Sequence, residues 1–194
     1  MKKIILLFSS IICIQCSDDR TIPPITQAEN IQLQEFQELA DPHKLFITDD
    51  EEPGEKLMLC LTFIDKASKK VLPNQRVSFY HTSAAGEYEP SNLNDQTTAR
   101  LNGDAITDDS GNLYIESILP GNYGSSDDNR HIHTSVEGAS PEAYDLFLKQ
   151  HPEGIGSFFS SGNDQMFTTR LKKATNNVFV CFATIEVKNP KTKD

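Results

Sequence analysis

Short runs of β-branched and aromatic residues, separated by turn residues, dominate the chain from Lys56 onward. Six such runs follow one another: KLMLCLTFID, RVSFYHT, NLYIESI, HIHTSVEG, YDLFLKQ and NVFVCFATIEV. Glycine, proline, asparagine and aspartate are concentrated between them, and no sustained helical period occurs after residue 41. This spacing predicts an all-β domain, an antiparallel β-sandwich over residues 54–190.

The stretch before this domain is polar and acidic. Residues 17–55 are rich in Pro, Gln, Asp and Glu and include the run DDEEPGE. We interpret residues 16–53 as a tether that precedes the domain. Within it, the segment AENIQLQEFQELA predicts a short helix with Leu33, Phe36 and Ala40 on one side.

The first fifteen residues have the pattern of a secretory signal. Lys2 and Lys3 are followed by an apolar segment, residues 4–14, that is too short to span a bilayer. Small and apolar residues then precede Cys16, as in bacterial lipoprotein signals. We predict that residues 1–15 form a removable signal peptide and that Cys16 carries lipid. The protein would then be anchored to a membrane of the bacterial cell envelope, and the following Ser-Asp-Asp resembles export tags of some surface-exposed lipoproteins.

The charge of the chain excludes one class of partner. The formal net charge is −10, and loss of two lysines with the signal peptide makes it −12. A chain this acidic is repelled by nucleic acid and by anionic lipid. We therefore expect no nucleic-acid partner and expect membrane contact only through the lipid anchor.

Two cysteines remain in the domain after the signal peptide and the lipidated residue are set aside. Cys60 and Cys181 each lie in an apolar run. Outside the cytoplasm such a pair could form a disulfide, and the apolar surroundings suit two separate buried thiols as well. The sequence leaves both arrangements open.

Two histidines one residue apart give the first sign of a functional site. On a strand, His131 and His133 point to the same face, whereas Arg130 and Ile132 point to the other. Two imidazoles on one face form a natural half of a metal site. An isolated His-x-His is, however, more often a pair of ordinary surface histidines.

Two tyrosines could complete such a site. Phenolate oxygen is a hard anionic donor that matches ferric iron better than it matches soft metals. A bound cation can also keep a tyrosine ionised well below its usual pKa of about 10. Tyr88 and Tyr123 are the candidates, although the residues alone are equally compatible with two half-buried loop aromatics.

The residues around these four positions resemble the intradiol ring-cleavage dioxygenases, the non-haem ferric enzymes related to protocatechuate and catechol dioxygenases. The family pattern runs Thr-Asp, a Gly three residues later, then Ile, Pro-Gly-x-Tyr and His-Ile-His. The matching residues of this chain are Thr107, Asp108, Gly111, Ile118, Pro120, Gly121, Tyr123, His131 and His133. Upstream, RVSFYHTSAAGEY matches a strand followed by Ala-Ala-Gly-x-Tyr, which places Tyr88 at the first tyrosine ligand. The resemblance covers roughly residues 56–150.

This resemblance implies a cofactor, a reaction and the intradiol type of sandwich. Tyr88, Tyr123, His131 and His133 would bind Fe(III) and leave an open position. The partners would be O2 and a small catechol-type substrate. Insertion of oxygen between the two hydroxyl-bearing carbons would give a muconate-type dicarboxylate, a reaction of aromatic compound catabolism.

Three positions depart from the family pattern. The family usually has Arg-Pro-x-His-x-His, with the arginine near the substrate, whereas Arg130 directly precedes His131. Arg130 remains the candidate catalytic residue, although strand alternation would turn its side chain away from the iron. Tyr80 stands where the family commonly has Trp, and His81 where it commonly has Gln. We interpret His81 as a solvent-facing strand histidine.

An envelope-anchored dioxygenase is the leading interpretation, and a binding module is the alternative. The same sandwich could be a non-catalytic anchored domain that binds a glycan, a protein or an iron–catechol ligand. The altered position of the arginine favours this alternative. The sequence leaves a monomer and a homo-oligomer both open.

Replacement of Cys16 tests the predicted anchor. Cys16→Ser removes the thiol that would be acylated, so we expect the protein to move from the membrane fraction to the soluble fraction. Cys60→Ser serves as the control and should leave the protein in the membrane fraction. If Cys16→Ser protein stays with the membranes after high-salt washing, the lipoprotein assignment is wrong.

Overall fold

The computed structural model describes residues 21–122, 129–150 and 164–191. The predicted signal peptide, Cys16 and Tyr123 lie outside these ranges. The described ranges contain one α-helix, one 3-10 turn and ten strands. These are α1 (Gln27–Gln37), β1 (Lys44–Phe46), β2 (Lys56–Asp65), β3 (Arg76–His81), the 3-10 turn (Gln96–Thr98), β4 (Leu101–Ile106), β5 (Asn112–Ile118), β6 (His131–Val136), β7 (Ala143–Lys149), β8 (Met166–Arg170), β9 (Lys172–Lys173) and β10 (Phe179–Val187).

The strands form two five-stranded sheets, in the orders β1-β5-β2-β10-β9 (sheet 1) and β4-β3-β6-β7-β8 (sheet 2). The predicted β-sandwich is thereby confirmed. The sheets are mixed rather than antiparallel, since the β1–β5, β2–β10 and β7–β8 ladders are parallel. Alternation of apolar and polar residues fixes the faces of a strand but not the direction of its neighbour, so the sequence pattern carried no sign of these parallel pairs.

A single core lies between the sheets and contains alternate residues of most strands. Strand β2 contributes Leu57, Leu59, Leu61 and Phe63, all essentially inaccessible to solvent. Strand β6 contributes Ile132, which is also fully buried. Each such side chain stabilises the fold by roughly 1.5–3 kcal/mol, so these contacts fix the register of the strands that carry them.

The N-terminal segment differs from the expected tether, because much of it packs on the sandwich. A capping box between Thr26 and Glu29 starts helix α1. The helix buries Leu33 and Phe36 in a second apolar cluster on the outer face of sheet 1, with Cys60, Tyr114 and Val180. Ala40 lies beyond the helix and is exposed, and strand β1 pairs with β5. No helix in the described part of the chain has the length and apolar character needed to cross a membrane.

Cys60 and Cys181 are separate buried thiols. Strands β2 and β10 pair so that Cys181 lies beside Leu59 and Cys60 lies beside Phe182. The two cysteines are therefore offset by one residue and point to opposite faces of sheet 1, one into each apolar cluster. Burial raises the pKa of both thiols, that of Cys181 to about 12, which keeps them protonated and unreactive.

His81 is fully buried, so its interpretation as a surface histidine is wrong. It follows the inward alternation of Val77 and Phe79 at the end of β3. Its Nδ1–H donates to the Thr82 carbonyl oxygen at 2.8 Å, and its Nε2 accepts from the Ser117 hydroxyl at 2.7 Å. The ring thus links sheet 2 to sheet 1, and burial lowers its pKa to about 4.

This buried histidine should make stability depend on pH. In the unfolded chain His81 becomes protonated near pH 6.5, whereas in the folded chain it becomes protonated only near pH 4. His81 therefore favours folding above pH 6.5, and that contribution, about 3 kcal/mol, is lost as pH falls to 4. His81→Gln keeps one donor and one acceptor but has no proton to gain.

Chemical denaturation at pH 7.5, 5.5 and 4.5 measures this effect. The loss of unfolding free energy on acidification should be smaller in His81→Gln than in the natural chain. Other titrating groups are shared by the two proteins and cancel in the comparison. Equal pH profiles would show that His81 does not carry this dependence.

Candidate metal centre

Three of the four predicted ligands meet on the outer face of sheet 2. The Tyr88 Oη lies 2.9 Å from His133 Nε2, and His131 Nε2 lies 3.1 Å from the same atom. Two donors that bind one ion at about 2.1 Å and at right angles are separated by about 3 Å. Tyr88 and His131 are thus each spaced from His133 as neighbouring ligands of one ion would be.

Strand β6 presents the two histidines because of its register. Ile132 points into the core, so His131 and His133 point to the opposite face. The Tyr80 ring stacks on His133 with centroids 4.5 Å apart, and Phe147 packs against His131 at 4.9 Å. Neighbouring strands therefore hold both imidazole rings from the side.

The loop after β3 positions Tyr88, whose side chain is almost fully buried. The Arg100 backbone N–H donates to the Tyr88 carbonyl oxygen at 2.9 Å. The Arg100 guanidinium makes two hydrogen bonds to Glu52, of 2.7 and 2.9 Å, and one to Glu89 of 2.6 Å. The guanidinium also holds the pKa of Glu52 below its ordinary value. Arg100 thus ties the tyrosine loop to the segment before β2.

The segment that leads to Tyr123 packs against the same loop. The Gly121 N–H donates to the Ser83 carbonyl oxygen at 2.9 Å. A side chain at Gly121 would place its Cβ 2.5 Å from both Ala84 O and Gly86 N, so only glycine fits. The Asn122 side chain accepts from the Asn129 N–H at 3.1 Å, which joins the two ends of residues 123–128.

The hydrogen bonds of the histidines assign their tautomers. The His131 Nδ1 lies 2.9 Å from the Asn129 carbonyl oxygen, and the His133 Nδ1 lies 2.7 Å from the Asp145 carboxylate. Both partners can only accept, so both Nδ1 atoms carry a proton, and Nε2 is the atom that presents a lone pair in the neutral form of each ring. Burial also lowers the pKa of His131, which favours its neutral form.

Two Nε2 lone pairs 3.1 Å apart repel each other, and a metal ion bound by both nitrogens would remove that repulsion, as would a proton on one of them. The Tyr88 hydroxyl has one proton to offer and lies within hydrogen-bond distance of His133 Nε2. The donor set, two imidazole nitrogens and a phenol oxygen, fits a metal ion. Among the described residues, no group of three or more His, Cys, Asp or Glu side chains is arranged to hold a metal, so a centre here depends on the tyrosines.

Arg130 lies in the strand register just before His131. Its carbonyl oxygen accepts from the Leu148 N–H at 2.9 Å, which pairs it with a core residue. Directly paired residues share a face, so the side chain starts on the core side of sheet 2, away from the histidines. The Nε and Nη1 atoms are buried without a hydrogen-bond partner among the described residues.

The sequence analysis missed two residues on the histidine face. Strand β7 places Asp145 opposite His133, and Lys149 follows four residues later on the same face with only 5 % of its surface exposed. Alternation within YDLFLKQ could have placed both residues on one face. Only the pairing of β6 with β7 shows that this is the face of the histidines.

The sequence profile of a family described as Dioxygenase matches residues 33–185, which is most of the chain. The chain therefore belongs to this dioxygenase family, and the predicted resemblance to the intradiol ring-cleavage enzymes is confirmed. Curated protein sequences give no significant match.

Solved structures with the same fold include several intradiol dioxygenases. The dioxygenase domain of a dioxygenase carbohydrate-binding protein fusion from Streptomyces sp. SirexAA-E has 16 % identity and a TM-score of 0.56, over 87 % of this chain and 98 % of that one. An intradiol ring-cleavage dioxygenase from Tetranychus urticae has 15 % identity and a TM-score of 0.56, over 80 % and 92 %. Catechol 1,2-dioxygenase from Acinetobacter sp. ADP1 has 19 % identity and a TM-score of 0.56, over 76 % of this chain but only 57 % of that one.

Proposed function

We propose that the protein is a non-haem Fe(III) intradiol dioxygenase that uses O2 to open a catechol-type ring to a muconate-type dicarboxylate. The observation that carries this proposal is that Tyr88 Oη and His131 Nε2 each lie about 3 Å from His133 Nε2. Membership of the dioxygenase family supports the reaction class.

Tyr88, Tyr123, His131 and His133 would hold the ion. Ferric iron bound there would act as a Lewis acid that withdraws electron density from a catecholate and makes its ring reactive towards O2. The chain supplies the ligand geometry: the Nδ1 contacts keep both Nε2 atoms free, and the rings of Tyr80 and Phe147 hold the imidazoles in place. The Tyr88 oxygen, once deprotonated, supplies a negative charge to match the ion.

We also propose that the domain works at the bacterial envelope on a lipid anchor at Cys16. Support comes from the positive start, the short apolar segment and the position of the cysteine. Within nine residues of Cys16 the chain is already bonded to the sandwich, since Ile25 N–H donates to Lys173 O. The domain would therefore stay close to the membrane surface.

A binding module remains the second candidate, and the position of Arg130 favours it. An enzyme of this type stabilises developing negative charge beside the substrate. Arg130 starts on the core face of β6, so it is poorly placed for that task. The same metal ligands without a positively charged side chain beside the substrate would bind a catechol and leave it intact.

Metal content and colour test the centre itself. We expect about one iron per chain and a red-brown colour from charge transfer between tyrosinate and ferric iron. His131→Ala should lower iron occupancy because it removes a ligand, and Tyr123→Phe should bleach much of the colour because it removes a charge-transfer donor. Tyr114→Phe, on the outer face of sheet 1, is the matched control and should leave both unchanged.

Oxygen uptake with a panel of catechols separates the two candidates. A dioxygenase consumes one O2 for each ring that it opens. If the iron-loaded, coloured protein binds catechols and consumes no oxygen with any of them, it is a binding module. A colourless protein without iron would contradict both iron-based functions.

Substitution of Arg130 and of Lys149 tests which of these two cationic side chains stabilises the negative charge that develops on the substrate. Arg130→Met should change kcat/KM by less than about threefold, because the guanidinium starts on the core face. Lys149→Met should lower kcat/KM by about 10²-fold, the scale of one lost charge-stabilising group. Lys70→Met, in an exposed loop, is the control. A larger loss in Arg130→Met than in Lys149→Met would show that the arginine reaches the substrate after all.

A further inference from the structure

Asp145 gives one of the two histidines of the centre a charged hydrogen-bond partner, which the other histidine lacks. It lies opposite His133 in the β6–β7 ladder, and its Oδ1 is 2.7 Å from His133 Nδ1. His131 has a neutral partner instead, the Asn129 carbonyl oxygen. One imidazole therefore donates its proton to a charged group and the other to an uncharged one.

The Asp145 carboxylate interacts mainly with His133. In the part of the chain that the structure describes, no lysine or arginine forms an ion pair with Asp145, and His133 is its side-chain partner. Both side chains are half-buried, with 29 % and 22 % exposed, so water weakens their interaction only in part. The stacked Tyr80 ring further restricts rotation of the imidazole.

A carboxylate on the far nitrogen of a ligating histidine has two effects. It fixes the tautomer in which the near nitrogen is free, and it increases the electron density that this nitrogen donates to a metal. A negative charge beside the ligands also favours an ion of higher charge. Loss of such a partner typically costs 10–100-fold in metal affinity or activity.

We propose that Asp145 is a positioning residue that holds His133 with its Nε2 unprotonated and strengthens it as a ligand, so that the centre retains ferric iron. This inference rests on the proposed function for the identity of the metal. Its first part concerns the tautomer of His133 and holds for the metal-free protein as well.

The tautomer can be measured without any metal, by imidazole ¹⁵N NMR at pH 7.5. In the natural chain, His133 should show a protonated Nδ1 and a free Nε2. Asp145→Asn replaces the obligate acceptor by an amide that can accept or donate, and Asp145→Leu removes the partner. Both should populate the tautomer with a protonated Nε2, since Tyr88 Oη and His131 Nε2 can accept from it.

Iron retention and colour test the second part. Ferric iron should leave Asp145→Asn and Asp145→Leu for a competing chelator about 10–100-fold faster than it leaves the natural chain. The tyrosinate-to-iron band should move to longer wavelength, because a weaker donor leaves the iron a better electron acceptor. Asp104→Asn, which removes a carboxylate from another strand of the same sheet, is the matched control and should change neither.

The outcomes separate this inference from the proposed function. If the natural chain takes up no iron, the proposed function fails while the tautomer still decides the role of Asp145. If both Asp145 variants keep the natural tautomer, iron release rate and band position, the inference is wrong. A lower melting temperature with an unchanged tautomer would also overturn it, because Asp145 would then be only structural.

Discussion

The pairing of β6 with β3 and β7 controls both the core and the centre. Ile132 is buried between the sheets, and its neighbours His131 and His133 consequently lie on the other face. A shift of one residue would place both imidazoles in the core and expose Ile132. That shift would bury two polar rings without their present hydrogen-bond partners and would lose apolar burial, so the packing that stabilises the sandwich also sets the position of two candidate ligands.

A second constraint joins the two tyrosine-bearing segments. The loop at residues 83–87 and the segment at Gly121 touch so closely that no side chain fits at the glycine. The hydrogen bond from Gly121 to Ser83 holds the backbones together just before Tyr123. Arg100 secures the other end of the loop through Glu52 and Glu89. Substitution at Gly121 should therefore disturb Tyr88 as well as the residues that follow the glycine.

The sequence predicted the features that depend on local pattern. The runs of apolar residues gave the sandwich, the helix was expected at Leu33 and Phe36, and the His-x-His spacing put two imidazoles on one face. Features that depend on pairing between distant segments were missed. The parallel β2–β10 ladder, the burial of His81 beside Ser117 and the contact of Asp145 with His133 all join residues that lie apart in the chain.

The N-terminal segment shows the same limit in another form. Its acidic, polar composition favours a tether, and most of its side chains are indeed exposed. Two apolar residues, Leu33 and Phe36, are buried where the helix docks, in one cluster with Cys60 and Tyr114 of sheet 1. Composition averages over a segment, whereas docking depends on a few side chains and on the surface that receives them.

The three described candidate ligands are each fixed by a different kind of contact. Tyr88 depends on a loop tied by an arginine, His131 on a carbonyl oxygen of its own segment, and His133 on a carboxylate of the neighbouring strand. These supports have no residue in common, but the three side chains contact one another, so a change in one support should also be felt at the neighbouring side chains. The charged and ionisable groups around the candidate site also favour one kind of ion. The Asp145 carboxylate and the ionisable Tyr88 phenol, both beside the imidazoles, would favour an ion of high positive charge over one of low charge.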